Sequence, residues 1–436
     1  MSLRRTLGTT DLTLLVIGNV IGSGIFIVPS SVLRQSGGSV TAASLVWLVG
    51  GLLSLMGALS YAELGSMDRA SGGLYGYIRD GFGRFPAFLY GWTLFFVIGT
   101  GTIATLAVAA ANYMGQFTAL SDLTKKAVAI TLIIVMAAIN VRGTRGSASV
   151  QNVATGIKVG AILLMSVLLF ALGDAPTATA AAAPAALSIN GVGLAMISVL
   201  WAYEGWQYVT FADGEAINPQ RSLPRAIATG TAALVVIYLI ANFAYLAALG
   251  PERVAASERV AGEATSAVLG PLAGQLIALA IIVSMYSAAH ATVITAPRVY
   301  FAMAAEGLFF RRLAEVHPRF GTPAVAIVAS CAWSAVLAAT GTFEQLLTYV
   351  VFVGWIFYAL GAAAVIAIRI KYPSASRPFK VPGYPVTPVL FVLAAAAIVG
   401  NTIYSQPRQA AIGLGMVLLG APAYYAWRRR RVPPAA

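Results

Sequence analysis

Two short clusters and one lysine carry most of the chemistry that this chain offers. Gly18-Asn19-Val20-Ile21-Gly22-Ser23-Gly24-Ile25-Phe26 sets three glycines and a serine in an otherwise apolar run. Gly18 and Gly22 alone read as a small-residue pair for close helix packing. A third glycine beside Ser23 suits an unwound turn, because each glycine costs a helix about 1 kcal/mol relative to alanine. Such a turn frees backbone N–H groups at the next helix start, where partial positive charge favours an anion such as a carboxylate. The second cluster is Trp201-Ala202-Tyr203-Glu204-Gly205-Trp206. A carboxylate halfway along an apolar stretch is costly unless it faces a cavity or a partner. Freed carbonyls there would take an ammonium group, and the rings would close the pocket. Lys158 lies about nine residues into its own apolar stretch, roughly 13 Å deep at 1.5 Å per residue. Snorkelling is the plainer account, yet Arg142 and Arg145 already mark that interface. An ammonium so deep stands in for a bound cation or exchanges a proton.

The remaining polar residues say less. His290 reads equally as polar packing or as a functional group. Asp213 and Glu215 suit a solvated or salt-bridged end of a span. Glu63, Arg69, Arg79, Arg84 and the segment from Arg298 to Arg319 read as interfacial anchors and cytoplasmic-gate salt bridges. With two histidines in the chain, no metal cluster, phosphate loop or Ser-His-Asp arrangement is assembled. Neither an enzyme nor a cofactor is expected.

The elements that must position these groups follow from composition. Of 436 residues, 59% are hydrophobic and 10% charged, with mean hydropathy +0.82. An average soluble domain carries about 25% charged residues, so lipid must be the solvent. A span needs about 20 apolar residues, and twelve such stretches run over 11–35, 40–64, 86–112, 125–141, 149–172, 189–214, 223–249, 267–305, 322–340, 345–368, 386–404 and 409–427. The net charge of +13 does not imply nucleic acid. With a cytoplasmic N-terminus, 21 Lys and Arg fall inside and 6 outside, leaving Lys158 in the membrane. Among the inner ones are Arg4, Arg5 and the run Arg428 to Arg431. That asymmetry places both termini inside. The first stretch lacks a cleavage pattern and reads as a span. The one cysteine, Cys331, excludes an internal disulfide. Pro176 to Pro184 forms an alanine-rich external loop, and Arg377 to Pro385 a proline-punctuated inner connector. The first and sixth stretches are both interrupted near their middles, as in an inverted-repeat carrier with a midplane site.

These stretches resemble the amino acid–polyamine–organocation superfamily, and within it the bacterial relatives of L-type amino acid transporters. The residues that match run from Gly18 to Pro29, through Ser60-Tyr61-Ala62-Glu63-Leu64 and Trp201 to Trp206, to Ile217–Ile227, Thr295–Gly307 and Arg377–Pro388. The resemblance implies an all-α membrane protein with a LeuT-like fold. Its twelve spans would form two inverted five-span repeats, about 11–172 and 189–368, with two more over 386–427. It implies alternating access of an amino acid, as exchange or uptake. By motif position Ile21, Gly22, Ser23, Gly24 and Ile25 would hold the backbone charges of the amino acid. Trp201, Ala202 and Glu204 would meet its ammonium and side chain. Lys158 matches a lysine of sodium-independent members that occupies the place of a sodium ion, with the Gly18 carbonyl and the Thr292 hydroxyl as neighbours.

Glu204 stands where many members carry glycine or serine, which makes dibasic amino acids plausible. Trp201 replaces a more common phenylalanine. Animal members are disulfide-linked to a single-span partner through an external cysteine. The corresponding loop here, 112–125, has none, so no such accessory subunit is expected. The expected setting is the bacterial inner membrane, with an amino acid and the bilayer as partners. A polyamine or amine carrier is the alternative within transport, although it would leave the Gly22-Ser23-Gly24 turn without an anion. A sensor that binds an amino acid without moving it is the alternative outside transport.

Overall fold

A computed structural model describes residues 7–67, 72–115, 117–142, 144–174 and 188–429, side chains at 144–150, 213–215, 344 and 428–429 excepted. Arg4, Arg5, Arg69, Arg430, Arg431 and the Pro176–Pro184 loop lie outside the described residues, as do the side chains of Arg145, Asp213, Glu215, Arg428 and Arg429.

Helices account for the described chain almost entirely. They are α1 (Thr9–Val20), α2 (Gly24–Gln35), α3 (Val40–Ser66), α4 (Gly73–Phe82), α5 (Arg84–Thr93), α6 (Gly99–Met114), α7 (Asp122–Val141), α8 (Thr144–Leu172) and α9 (Ile189–Ala202). They continue as α10 (Pro219–Ala256), α11 (Val260–Leu269), α12 (Pro271–Thr295), α13 (Pro297–Ala305), α14 (Ala324–Thr340), α15 (Phe343–Lys371), α16 (Val386–Ser405) and α17 (Pro407–Arg429). Local chemistry starts them. The hydroxyls of Ser39, Ser121, Ser188 and Thr342 accept N–H groups of their own first turns, at 3.0–3.4 Å. Pro219, Pro271 and Pro297 occupy first-turn positions that need no N–H donor.

A helix lies on each of the twelve apolar stretches. By length and apolarity, nine of the described helices can cross a membrane, ten if the bent pair α1–α2 is one span. The two that fall short are α9, 14 residues long, and α14, 17 residues long. Beyond a three-residue turn, α9 gives way to a 3-10 helix over Trp206–Glu215.

One end of the bundle is laced by ion pairs. Buried Glu63 on α3 accepts from Arg369 Nε and Nη2 at 2.8 and 2.7 Å and from the Val381 N–H at 2.7 Å. The Arg369 guanidinium also lies 3.7 Å from the Tyr384 ring centroid. Arg79 on α4 pairs with Glu306 after α13, which also accepts from the Tyr75 hydroxyl at 2.9 Å. Removing one partner of a buried charged pair costs about 3–5 kcal/mol, because the other is left uncompensated. Glu63→Ala should therefore lower the melting temperature of the purified protein clearly, whereas Asp122→Ala, whose partner Lys125 is 3.7 Å away at the surface, should not. Thermal unfolding in detergent, followed by size-exclusion chromatography, reads both.

Candidate functional site

The first break lies where the sequence is richest in glycine. α1 stops at Val20, α2 starts at Gly24, and their axes differ by 46°. The N–H groups of Phe26 and Ile27 both turn back to the Ser23 carbonyl, at 3.2 Å. Among the described residues, the N–H groups of Gly22, Ser23, Gly24 and Ile25 have no backbone acceptor. The turn thus presents a buried helix N-terminus with its donors free, an anion site by charge and geometry.

The carbonyls of the same turn face the other way. Lys158 Nζ on α8 donates to Gly18 O at 2.8 Å and Ile21 O at 2.9 Å. Ser284 Oγ on α12 donates to Ile21 O at 3.1 Å. The C-terminal end of α1 carries partial negative charge, and the ammonium caps it. Thr292 does not join this group: its hydroxyl returns to Ala288 O at 3.2 Å. A buried threonine inside a helix satisfies itself on the preceding turn. Ser284, two turns earlier on α12, instead shares the Ile21 carbonyl with Lys158.

The second break meets the first. Gly205 has φ +126°, and a Cβ there would lie 2.9 Å from the Asn19 carbonyl carbon and oxygen. Gly24 packs on the Cα of Ala202, with no room for a side chain. The Tyr238 hydroxyl on α10 lies 3.2 Å from Val20 O and 3.0 Å from Ala202 O, so one group serves the carbonyls of both breaks. Trp201 Nε1 donates to Ser23 Oγ at 3.2 Å and sets its ring edge-on to Phe343. Ile21 and Ile25 are fully buried beside this junction.

Glu204 is not free inside the junction. Its Oε1 accepts from Gln207 Nε2 at 2.6 Å and from the Tyr358 hydroxyl on α15. Gln207 Nε2 also reaches the Tyr358 oxygen at 2.8 Å, and Tyr61 donates to Tyr358 O at 3.1 Å. The sequence reading missed Tyr238, Gln207, Ser284 and Tyr358. Gln207, three residues after Glu204, was the legible one. His290 is buried and stacks on Tyr286.

The family model described as amino acid permease matches residues 7–421. The serine/threonine exchanger SteT of Bacillus subtilis (strain 168) is 32% identical over 432 residues, covering 98% of each chain. The cystine/glutamate transporter of Homo sapiens is 32% identical over 418 residues, 94% of this chain and 83% of that protein. The large neutral amino acids transporter small subunit 2 of Homo sapiens is 30% identical over 437 residues, with coverage of 98% and 81%. All three are named as carriers and none as an enzyme.

The junction leaves a sharp test of its packing. Gly205→Ala forces a side chain into a left-handed backbone, at about 1–3 kcal/mol, and against Asn19. Gly156→Ala on α8 meets nothing within 4 Å and should gain up to about 1 kcal/mol of helix propensity. Melting temperatures of the two variants should move in opposite directions.

Proposed function

We propose that this chain, which belongs to the amino acid permease family, moves amino acids across the bacterial inner membrane by sodium-independent alternating access. It is an amino acid transporter and not an enzyme. The observation that carries the finer reading is the meeting of two helix breaks, one offering four unpaired N–H groups and the other a carbonyl- and ring-lined turn. In this reading the N–H groups of Gly22, Ser23, Gly24 and Ile25, with Ile21 beside them, take the substrate carboxylate. The turn Trp201-Ala202-Tyr203-Glu204 takes its ammonium and side chain. A diamine would leave the first turn without its anion, so the amino acid reading stands above the polyamine one.

Lys158 occupies the cation position, its ammonium on the Gly18 and Ile21 carbonyls, and exchange or proton linkage runs through it. Two inverted five-span repeats over 11–172 and 189–368, two further spans over 386–427 and cytoplasmic termini complete the reading; the charge asymmetry supports the orientation. Cys331 is buried in α14, which fits a carrier without a disulfide-linked subunit. The substrates are neutral amino acids, cationic ones, or both. Serine and threonine enter as candidates through the bacterial exchanger, and arginine and lysine through Glu204.

Uptake of labelled serine, alanine, leucine, arginine and lysine into proteoliposomes, empty or preloaded, tests this. Uptake should proceed without sodium; a strict sodium requirement overturns the reading. Lys158→Ala removes two charge-assisted bonds worth about 1.5–3 kcal/mol each, so uptake should fall by at least roughly 100-fold with the fold intact. Glu204→Gly should remove arginine and lysine uptake selectively if Glu204 selects charge. Equal loss for all substrates would assign Glu204 to the Tyr358 contact instead.

A further inference from the structure

Lys158 belongs to a polar stripe that the transport reading does not use. Gln151, Thr155 and Lys158 follow one another at helical spacing on α8, at 2%, 0% and 3% exposure. The stripe faces Gly18 and α12. Ser287 Oγ donates to Gln151 Oε1 at 3.2 Å. Gln151 Nε2 and Thr155 Oγ1, however, have no hydrogen-bond partner among the described residues. Both lie within 2.5 Å of the point a Cβ on Gly18 would occupy, so they converge beside the carbonyl that holds Lys158. A buried polar atom without a protein partner is satisfied by bound water, at about 2.8 Å.

The two sides of Lys158 are unlike. Toward the α1 start, Asn152, next to Gln151 in the chain, donates from Nδ2 at 2.6 Å to Oδ1 of half-buried Asp11. Toward the α2 end, Lys158 borders a cavity of about 10 Å³ walled by Phe26, Ile162, Met165, Ile277 and Ile281. That is space for roughly one water with no second polar group to hold it. The ionisable groups on the elements packed around α8 are Asp11 on α1, Asp122, Lys125 and Lys126 on α7, Arg221, Arg225, Tyr238, Tyr245, Glu252 and Arg253 on α10, Glu263 on α11, and Tyr286 and His290 on α12. The hydrogen bonds of Nζ go to the main-chain carbonyls of Gly18 and Ile21.

We propose that Gln151 and Thr155 hold a water relay that connects Lys158 with the Asp11 end of the bundle, and with that end alone, in this conformation. The proposal rests on the reading that Lys158 exchanges a proton during transport. In the step, an Nζ–H bond breaks as an O–H bond forms to the bound water. That water gives a different proton to the Thr155 oxygen as the Thr155 O–H bond breaks, and the released proton passes through bound water to the Asp11 carboxylate, forming its O–H bond. Lys158 ends neutral, the relay is restored, and one proton has moved to the cytoplasmic end. The apolar wall keeps the same proton from the opposite side.

The test uses the full chain in oriented proteoliposomes, with internal and external pH set separately. The probe is a labelled mixture of the twenty common amino acids. Wild-type uptake should respond more steeply to pH on the cytoplasmic face than on the other. Thr155→Val and Gln151→Leu should reduce that response about tenfold, the effect of losing one hydrogen-bonded step. Exchange at saturating substrate should persist, and Thr155→Ser should restore the response. A wild type equally sensitive on both faces overturns the relay. So do Val and Leu variants that titrate like wild type while Lys158→Ala loses its response, an outcome that leaves Lys158 as the coupling group. A response that survives in Lys158→Ala removes both ideas. Loss of exchange at every pH in all three relay variants, Thr155→Ser included, would mean packing alone and overturn the relay as well.

Discussion

Everything in this fold turns on a backbone problem. A helix broken inside a membrane exposes N–H and C=O groups that lipid cannot satisfy, each at a cost of several kcal/mol. This chain breaks two helices at one level and satisfies the carbonyl side of the breaks with side chains. Lys158 and Ser284 take the carbonyls of Gly18 and Ile21, and Tyr238 stands between Val20 and Ala202. The N–H side is left open at Gly22–Ile25. Satisfaction on one side and availability on the other make the break directional, and the proposed reading puts the substrate carboxylate on its open side.

Much of this was legible. Lys158 and Glu204 stood out because lone charges inside apolar runs have few innocent explanations. The glycine turn was readable because three glycines near Ser23 cost too much helix propensity to be incidental. The contact at Gly205 was not readable, since only the folded chain shows that its left-handed backbone meets Asn19. Tyr358 was hidden among 18 tyrosines in an apolar chain, where nothing local separates a partner of a carboxylate from a packing ring. Thr292 shows the converse: a polar residue in the right register whose hydroxyl is consumed by its own helix. The stripe of Gln151, Thr155 and Lys158 follows a helical period, yet small polar residues are so common in α8 that the pattern does not stand out before α1 and α12 are in place.

The two breaks are held to different neighbours. The first is tied through Lys158 and Ser284 to α8 and α12, the second through Glu204 and Gln207 to Tyr358 on α15. Glu63 binds α3 to the end of α15 and to the connector beyond it, and Arg79 binds α4 to Glu306. The ion pairs of Glu63 and Arg79 tie helix ends, while the second break's polar ties are buried side-chain contacts.

That distribution bears on how such a carrier moves. A rocking motion must change the distance between the broken helices and the elements around them, and it can do so only where few strong contacts resist. Lys158 binds main-chain carbonyls rather than a carboxylate, so its hold on α1 depends on its charge alone: a neutral amine retains only weak donors for Gly18 and Ile21. Glu204 binds through neutral partners, Gln207 and Tyr358, and its hold depends likewise on one charge. Each break therefore carries one ionisable group set on neutral partners, beside the uncharged ties of Ser284 and Tyr238. In the proposed reading, a substrate that brings a carboxylate to one break and an ammonium to the other meets both at once, which neither half of that substrate can do alone.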